Sequence, residues 1–490
     1  MDAAGRPGGG GEMNAPIVIG IDVGTSGVRA LAATAQGEVL AEARAPLTDL
    51  PAAAPAHEQD ANAWWRAVCQ TISELRESLK SGSSRNRLAG ISVTSTSGSL
   101  VLADAQGRPL RPAMLYDDGR AAAVADELNA RHPGGEAKIN ASFSLAKALW
   151  VRQHEPAVWD RARYILHPAD WLAARLTGNW GLCDYSDALK LGYDQEKGAW
   201  AAAVGISGIP ASMLPRVVAP GEQVGTVSAA AGEETKLPTG VPVLAGATDG
   251  TASLIGSGAS EPGHANTTLG TTLVWKVLSR TRPRVGPGMY CHHLPSKMWA
   301  PGAASNTGPG SLQIDEPDAS PEEMDRRAAA HLPTLIQCYP LTARGERFPF
   351  LNPQARAFWE GTPASLGERH AAQLQALACV ERWGYERLEE CEVAVGEKVF
   401  SAGSAAASPV FSQLRANVLN RTVRRCANPT AAFGAAILAA GTQLFGGDLT
   451  AAIRSMTRVV ASHRPEPDRV GVFENTYRQF RAACSRHGFD

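Results

Sequence analysis

The sequence predicts an α/β protein of two lobes, and three observations predict it. Short apolar runs closed by glycine-rich turns alternate with segments of helical spacing. An apolar run that ends on an aspartate occurs twice, in IVIGIDVGTSG (17–27) and PVLAGATDGTA (242–252). The 490 residues also exceed what one hydrophobic core organises, so two domains are the natural partition. These are expected over 16–255 and 256–490, after a Gly-rich flexible leader at 1–15.

Taken in order, Ile17–Ile21 reads as a buried strand, Val23–Gly27 as a tight hairpin and Val28–Ala33 as the returning strand. Val39–Ala43, Leu88–Thr94 and Ser99–Ala103 read as further strands, with a polar turn at Asp104–Pro109. Asp60–Leu75 has helical spacing through Trp64, Trp65, Val68 and Ile72. Ser144–Arg152 and Trp171–Arg175 fit packed helices. Lys147 defaults to a helix surface, and His167-Pro168-Ala169-Asp170 reads as a helix start rather than a catalytic His–Asp pair.

In the second half, Val241–Ala245 is a strand that runs into an Asp249 loop. His264–Leu269 and Thr272–Leu278 form a hairpin joined at Gly270 and Thr271. Leu374–Leu388 is a helix, Lys398–Ala402 a strand, Pro409–Leu419 a helix, and Thr430–Gly441 the last well-defined module. Both halves then carry a strand, an aspartate loop and a hydroxyl-rich hairpin. That weak repetition argues for a ligand cleft between the lobes.

Composition removes several function classes. A formal net charge of −1 gives no general electrostatic reason to bind nucleic acid or an anionic membrane. The eight cysteines are scattered without short paired spacings, which favours a reduced, cytoplasmic protein. Cys291-His292-His293 lacks obvious partner ligands for zinc. The Ala-rich run at 431–441 is too short for a membrane span. No heptad selects an oligomer, so monomer and homodimer both stand.

The chemistry-bearing residues fall in five places. Asp249 is the choice for general base, since a carboxylate beside a sugar hydroxyl accepts its proton during phosphoryl transfer. Asp22 suits Mg²⁺ or its waters, although spacing alone does not separate either role from an aspartate that caps a loop. Gly24-Thr25-Ser26-Gly27 and Gly270-Thr271-Thr272 are candidate phosphate-facing turns, and neither is a Walker sequence. Thr96-Ser97-Gly98-Ser99 places small hydroxyls beside a strand, suited to a polyhydroxylated substrate. Tyr116-Asp117-Asp118-Gly119-Arg120 is able to contact sugar hydroxyls or to close a lobe through an Arg–carboxylate pair.

In this order the residues resemble the sugar kinases of the FGGY carbohydrate-kinase family. Ile19–Ser26 is similar to the family's amino-terminal phosphate motif, and Ala245-Gly246-Ala247-Thr248-Asp249-Gly250 to its catalytic-base segment. His57–Asp60 with Trp64-Trp65, Leu115–Arg120, Asp184–Ala188 and Leu269–Thr272 resemble the landmarks between and after them, and the likeness spans about 17–445. It implies two actin-like ATPase (ribonuclease H-like) lobes that close on ATP, Mg²⁺ and a sugar. By the same resemblance Asp249 is the base and a metal-side carboxylate with Asp22, Thr25 and Thr271 are phosphate contacts, and Ser97, Gly98, Ser99, Asp117 and Asp118 lie on the sugar side.

Thr96–Ser99, Ser144–Lys147, Leu189–Tyr193 and Arg344–Pro349 look closest, within the family, to the D-ribulose kinases of cyanobacteria and plants. Ordinary xylulokinases usually carry Met-His where this chain has Ser97-Gly98, which implies D-ribulose ahead of D-xylulose, another polyol or a non-catalytic sugar-sensing role. On the nucleotide side Gly403-Ser404-Ala405 stands where the family has three glycines, and Thr430 where it commonly has glutamate. Gly403 and Ser404 are carried over as nucleotide contacts, with altered ATP use expected.

Overall fold

Strand β1 (Pro16–Val23) is buried along almost its whole length, as a continuous apolar run requires when both faces of a sheet are covered. Strand β2 (Gly27–Thr34) returns antiparallel to it, and β3 (Val39–Pro46) alternates buried with exposed residues, as an edge strand with one solvated face does. The computed structural model of the chain describes residues 15–47, 57–80, 87–132, 138–312 and 320–490. All but the last residue of the expected leader at 1–15 lies outside them.

The chain divides into two compact units. The first takes the described residues up to Gly192 together with Ala201–Ala247 and Ala435–Ala452. Helix α1 (Ala61–Lys80) lays Trp64, Trp65, Val68, Ile72 and Leu75 on its buried face, which is the face the sequence spacing marks out. Strand β4 (Arg87–Ser95) pairs in parallel with β1. Helix α2 (Ser144–His154) precedes α3 (Pro168–Thr177), which has Pro168 in its first turn and ends at Gly178 with φ 81°, a left-handed cap that glycine takes without strain. With β5 (Gln223–Thr226) and β6 (Pro242–Leu244), the mixed sheet runs β5-β6-β4-β1-β2-β3.

The second unit takes Tyr193–Trp200, Thr248–Gly434 and Ile453–Asp490. It opens with helix α4 (Asp249–Gly256), then the antiparallel hairpin β7 (Ala265–Leu269) and β8 (Leu273–Val277), followed by β9 (Met289–His293) and β10 (Trp299–Ala304). Helix α5 (Leu366–Glu389) is interior for most of its length and starts where Ser365 Oγ accepts the Glu368 N–H at 3.1 Å. Strand β11 (Lys398–Ala402), helix α6 (Pro409–Leu419), strand β12 (Thr422–Cys426) and strand β13 (Val459–His463) follow, and helix α7 (Ala431–Leu444) starts in this unit but belongs to the first from Ala435 on. The mixed sheet runs β9-β10-β8-β7-β11-β12-β13.

The internal repetition exists, but it aligns differently from the sequence expectation. In each sheet a central hairpin, β1–β2 or β7–β8, is flanked by two parallel strands, β4 and β6 or β11 and β12. The counterpart of the Val23–Gly27 turn is therefore the Gly270–Thr272 turn, not the Asp249 segment. Asp249 does not sit in a loop, because Thr248 takes an extended backbone and the helix begins on the next residue. The turn after β4 (Ser97-Gly98) and the turn after β11 (Gly403-Ser404) are likewise equivalent positions.

Candidate active site

In the first unit, Asp22 sits half-buried on β1 opposite Arg29, one residue before the pairing ends at Val23 and Val28. Gly24, Thr25 and Ser26 make the turn, closed by the Gly24 N–H on the Gly27 carbonyl at 3.0 Å. The Thr25 carbonyl accepts from Gln59 Nε2 at 2.6 Å, and Gln59 Oε1 accepts from the Trp64 indole at 2.7 Å. A Cβ on Gly27 would lie 2.7 Å from the Ala45 carbonyl oxygen, so only glycine closes this hairpin. The Gln59–Trp64 landmark thus acts as a brace under the turn.

After β4, Ser97 is half-buried while Gly98 and Ser99 are buried, and the Ser99 hydroxyl lies 3.0 Å from Thr96 Oγ1. Lys147 is not on a helix surface. It is fully buried, with Nζ donating to the Gly98 carbonyl at 2.9 Å. Asp117 pairs with His57 Nδ1 at 3.0 Å. Burial would raise the Asp118 carboxyl, but hydrogen bonds from Arg120 outweigh it and hold the group below the usual carboxylate range. Glu58 joins Arg120 and Arg111 in the same network, and Arg120 lies over the Trp150 ring at 4.7 Å. Within 116–120 the Arg–carboxylate pair is Arg120 with Asp118.

The helix start at His167-Pro168-Ala169-Asp170 is also present, as a capping box. The His167 N–H donates to Asp170 Oδ2 at 3.1 Å. The ring joins too, Nδ1 to Asp170 Oδ2 and Nε2 to Ser144 Oγ, both at 2.9 Å. All three side chains are buried, so this constellation is scaffold.

In the second unit, Asp249 is the first residue of α4, and its Oδ1 accepts the Gly250 N–H at 2.6 Å. A carboxylate in the first helical turn is favoured by the helix dipole. Beside it lies a group the sequence reading missed, Lys276. This lysine is buried on β8 and its amine is pushed down to about 8 by burial, against the charge of Asp249. An ammonium only donates, so His292 Nδ1, 3.3 Å from Lys276 Nζ, is the acceptor. Thr251 Oγ1 lies 3.0 Å from the same nitrogen. The signal was a lysine inside the apolar run LVWKV, where a strand covered on both faces has no surface to offer it.

The structure brings Gly270, Thr271 and Thr272 together with Gly403 and Ser404. Thr268 on β7 is in register with Ala402 on β11, and a Cβ on Gly403 would sit 2.3 Å from the Leu269 carbonyl oxygen. Gly308 and Gly310, not anticipated, back the Gly270–Thr272 turn, where a Cβ on either would lie within 2.8 Å of Thr271 or Thr272. Thr430, which stands where the family pattern has glutamate, caps α7 by accepting the Phe433 N–H at 3.2 Å.

Gly403 has φ +88°, a left-handed conformation closed to side chains without strain. Gly403→Ala is expected to destabilise the protein by roughly 1–3 kcal/mol. Thermal unfolding checks this.

Two family descriptions match the chain, "FGGY family of carbohydrate kinases, N-terminal domain" over residues 17–256 and the corresponding C-terminal domain over 291–442. The chain belongs to the FGGY family of carbohydrate kinases. Among FGGY relatives it is similar to the xylulose kinase of Escherichia coli, at 28% identity over 94% of this chain and 97% of that protein. It is similar in structure to the xylulose kinase of Rhodospirillum rubrum, with a TM-score of 0.83, 28% identity, and 96% and 98% of the two chains covered. A xylulose kinase from Brucella ovis superposes with a TM-score of 0.87 at 25% identity, covering 97% and 100%. The mixed α/β architecture is accordingly that of two actin-like ATPase lobes, and the protein is an ATP-dependent sugar kinase. Among the described residues no helix is long and apolar enough to cross a membrane.

Asp22 and Asp249 offer carboxylate oxygens, the hard donors that magnesium takes. Both side chains fit a hard divalent cation.

Proposed function

We propose that this kinase transfers the γ-phosphoryl group of Mg–ATP to the terminal hydroxyl of a pentulose, D-ribulose, giving the 5-phosphate. The observation that carries the choice of sugar is the turn at Ser97-Gly98. Gly98 has φ +83°, and a Cβ there would lie 2.4 Å from the Ser142 carbonyl oxygen. The imidazole that ordinary xylulokinases carry at this position has no room here, so the sugar meets a serine hydroxyl and bare backbone instead.

Asp249 is the general base. As the sugar oxygen bonds to phosphorus, its proton passes to the Asp249 carboxylate and the bond to the ADP leaving oxygen breaks. Thr25, Ser26, Thr271, Thr272, Gly403 and Ser404 present backbone N–H groups and hydroxyls to the phosphates, while Gly24 and Gly270, whose N–H groups close their own turns, let the backbone approach them. Asp22 and Asp249 would hold Mg²⁺, which when bound neutralises phosphate charge. Ser97, Ser99, Asp117 and Asp118 take the sugar side. A cytoplasmic location is supported by eight cysteines that are all free thiols.

D-xylulose is the second reading, and the names of the relatives favour it. The test is ADP release from ATP and Mg²⁺ with D-ribulose, D-xylulose, L-ribulose, D-fructose and glycerol, against no-sugar controls. Preferential kcat/KM on D-ribulose is the expected result. Preference for D-xylulose would overturn the choice of sugar and leave the kinase mechanism standing.

A further inference from the structure

We propose that Lys147 and Lys190 are positioning residues for the acceptor sugar, pinning the two carbonyls of the Ser97–Gly98 turn and so fixing the face this turn offers to a ketose. The inference rests on the reading above that this turn meets the sugar. Lys147 Nζ donates to the Gly98 carbonyl at 2.9 Å and lies 3.5 Å from the Ser142 carbonyl. Lys190 Nζ donates to the Ser97 carbonyl at 3.3 Å. A peptide unit is planar and trans, so its C=O and the following N–H point in opposite directions. Holding the Ser97 carbonyl against Lys190 therefore turns the Gly98 N–H away from that lysine, and with it the rigid plane from which the Ser97 side chain departs.

Packing alone does not select this arrangement. Lys147 is fully buried, where an apolar side chain of similar length would fill the same room without a desolvation penalty. Its amine is pushed down to about 7 by burial and by the charge of Lys190, with Asp118 and Asp117 acting the other way. Two amines are thus brought to adjacent carbonyls, against the repulsion between their charged forms, beside the acidic pair at 117–118. Lys190 also occupies the space that a side chain at 98 would need. A Cβ there would come 2.5 Å from Lys190 Cδ and 3.1 Å from its Nζ. A side chain at 98 would displace Lys190 from the Ser97 carbonyl, so Gly98 and Lys190 form one specificity element. Such a surface, one hydroxyl and oriented backbone, suits the oxygen acceptors of an open-chain ketose.

The experiment uses the full chain and compares Lys190→Met, Lys190→Arg and Lys147→Met with wild type. KM and kcat are measured for D-ribulose and D-xylulose at saturating ATP, and KM for ATP at saturating sugar. Lys190→Met is expected to raise the D-ribulose KM about tenfold, the equivalent of one well-placed hydrogen bond, and to narrow the preference between the two epimers. In that variant kcat and the KM for ATP stay within about twofold. Lys190→Arg recovers much of the sugar KM, and Lys147→Met shows the same split as Lys190→Met.

Unchanged sugar KM values in Lys190→Met would overturn the proposal. So would a loss shared equally between sugar and ATP, since that marks a brace of the fold. Lys190 is half-buried, so its variant decides the matter even if Lys147→Met does not accumulate. Ser97→Ala separates the two levels. If it leaves every sugar KM unchanged, the turn does not meet the sugar and the underlying reading fails, whatever the lysines do.

Discussion

Asp249→Asn is expected to lower kcat for sugar phosphorylation by about 10²–10⁴-fold, the range a positioned general base contributes. The substitution is chosen because it leaves the local fold in place. Asparagine keeps the side-chain oxygen that accepts the Gly250 N–H, and it is tolerated at a helix start. The lost charge removes a favourable dipole interaction of roughly 0.3–1 kcal/mol, too little to unfold a chain of this size. It also strips Lys276 of the neighbouring carboxylate that supports its charge, so the lysine amine falls further below its ordinary value. ATP binding, followed by calorimetry, should therefore survive while ADP release on D-ribulose does not. Wild-type turnover in Asp249→Asn would remove Asp249 from the chemistry.

The elements that frame these residues were legible where local rules act alone. Strand β11 and helix α6 match their expected bounds to the residue. Ser408 before Pro409 caps the start of α6, where Ser408 Oγ accepts the Phe411 N–H at 2.9 Å, and Asn420 with φ 50° ends it. The two hairpins were legible for the same reason, since an apolar run, a glycine turn and a second run leave few alternatives.

Long-range partners were not legible. Lys147 has the sequence spacing of any helix lysine, and only the arrival of the Ser97–Gly98 turn and the Asp117–Asp118 segment shows it to be interior. Asp249 looked like a loop residue because glycine follows it, whereas Thr248 in extended conformation and the helix after it decide otherwise. The repeat was misaligned for a related reason. An apolar run ending on an aspartate near a glycine does not by itself mark equivalent positions, while the register that equates the β1–β2 and β7–β8 turns appears only once the parallel strands are paired.

The largest stability loss is expected from Arg415→Ala. Arg415 on α6 and Glu381 on α5 are both fully buried and meet through two hydrogen bonds, at 2.6 and 2.7 Å. Arg415 also donates to Ser401 Oγ at 2.8 Å, and Glu381 accepts from Thr267. Removing the guanidinium leaves a carboxylate in the core without its cation, which costs about 3–5 kcal/mol and on the order of 10 °C in Tm. Replacing both partners at once, Arg415→Met with Glu381→Met, is expected to recover most of that loss, because an apolar pair of similar volume avoids desolvating either charge. The kinetic consequence follows from where the pair is anchored. Ser401 lies two residues before Gly403 and Thr267 three before Gly270, so the ion pair tethers both strands that deliver the turns proposed to meet the nucleotide. In Arg415→Ala the KM for ATP should therefore rise ahead of the KM for sugar, and added ATP should raise Tm less than it does in the wild type. Equal stability of Arg415→Ala and the wild type would show that the buried pair does not hold these strands.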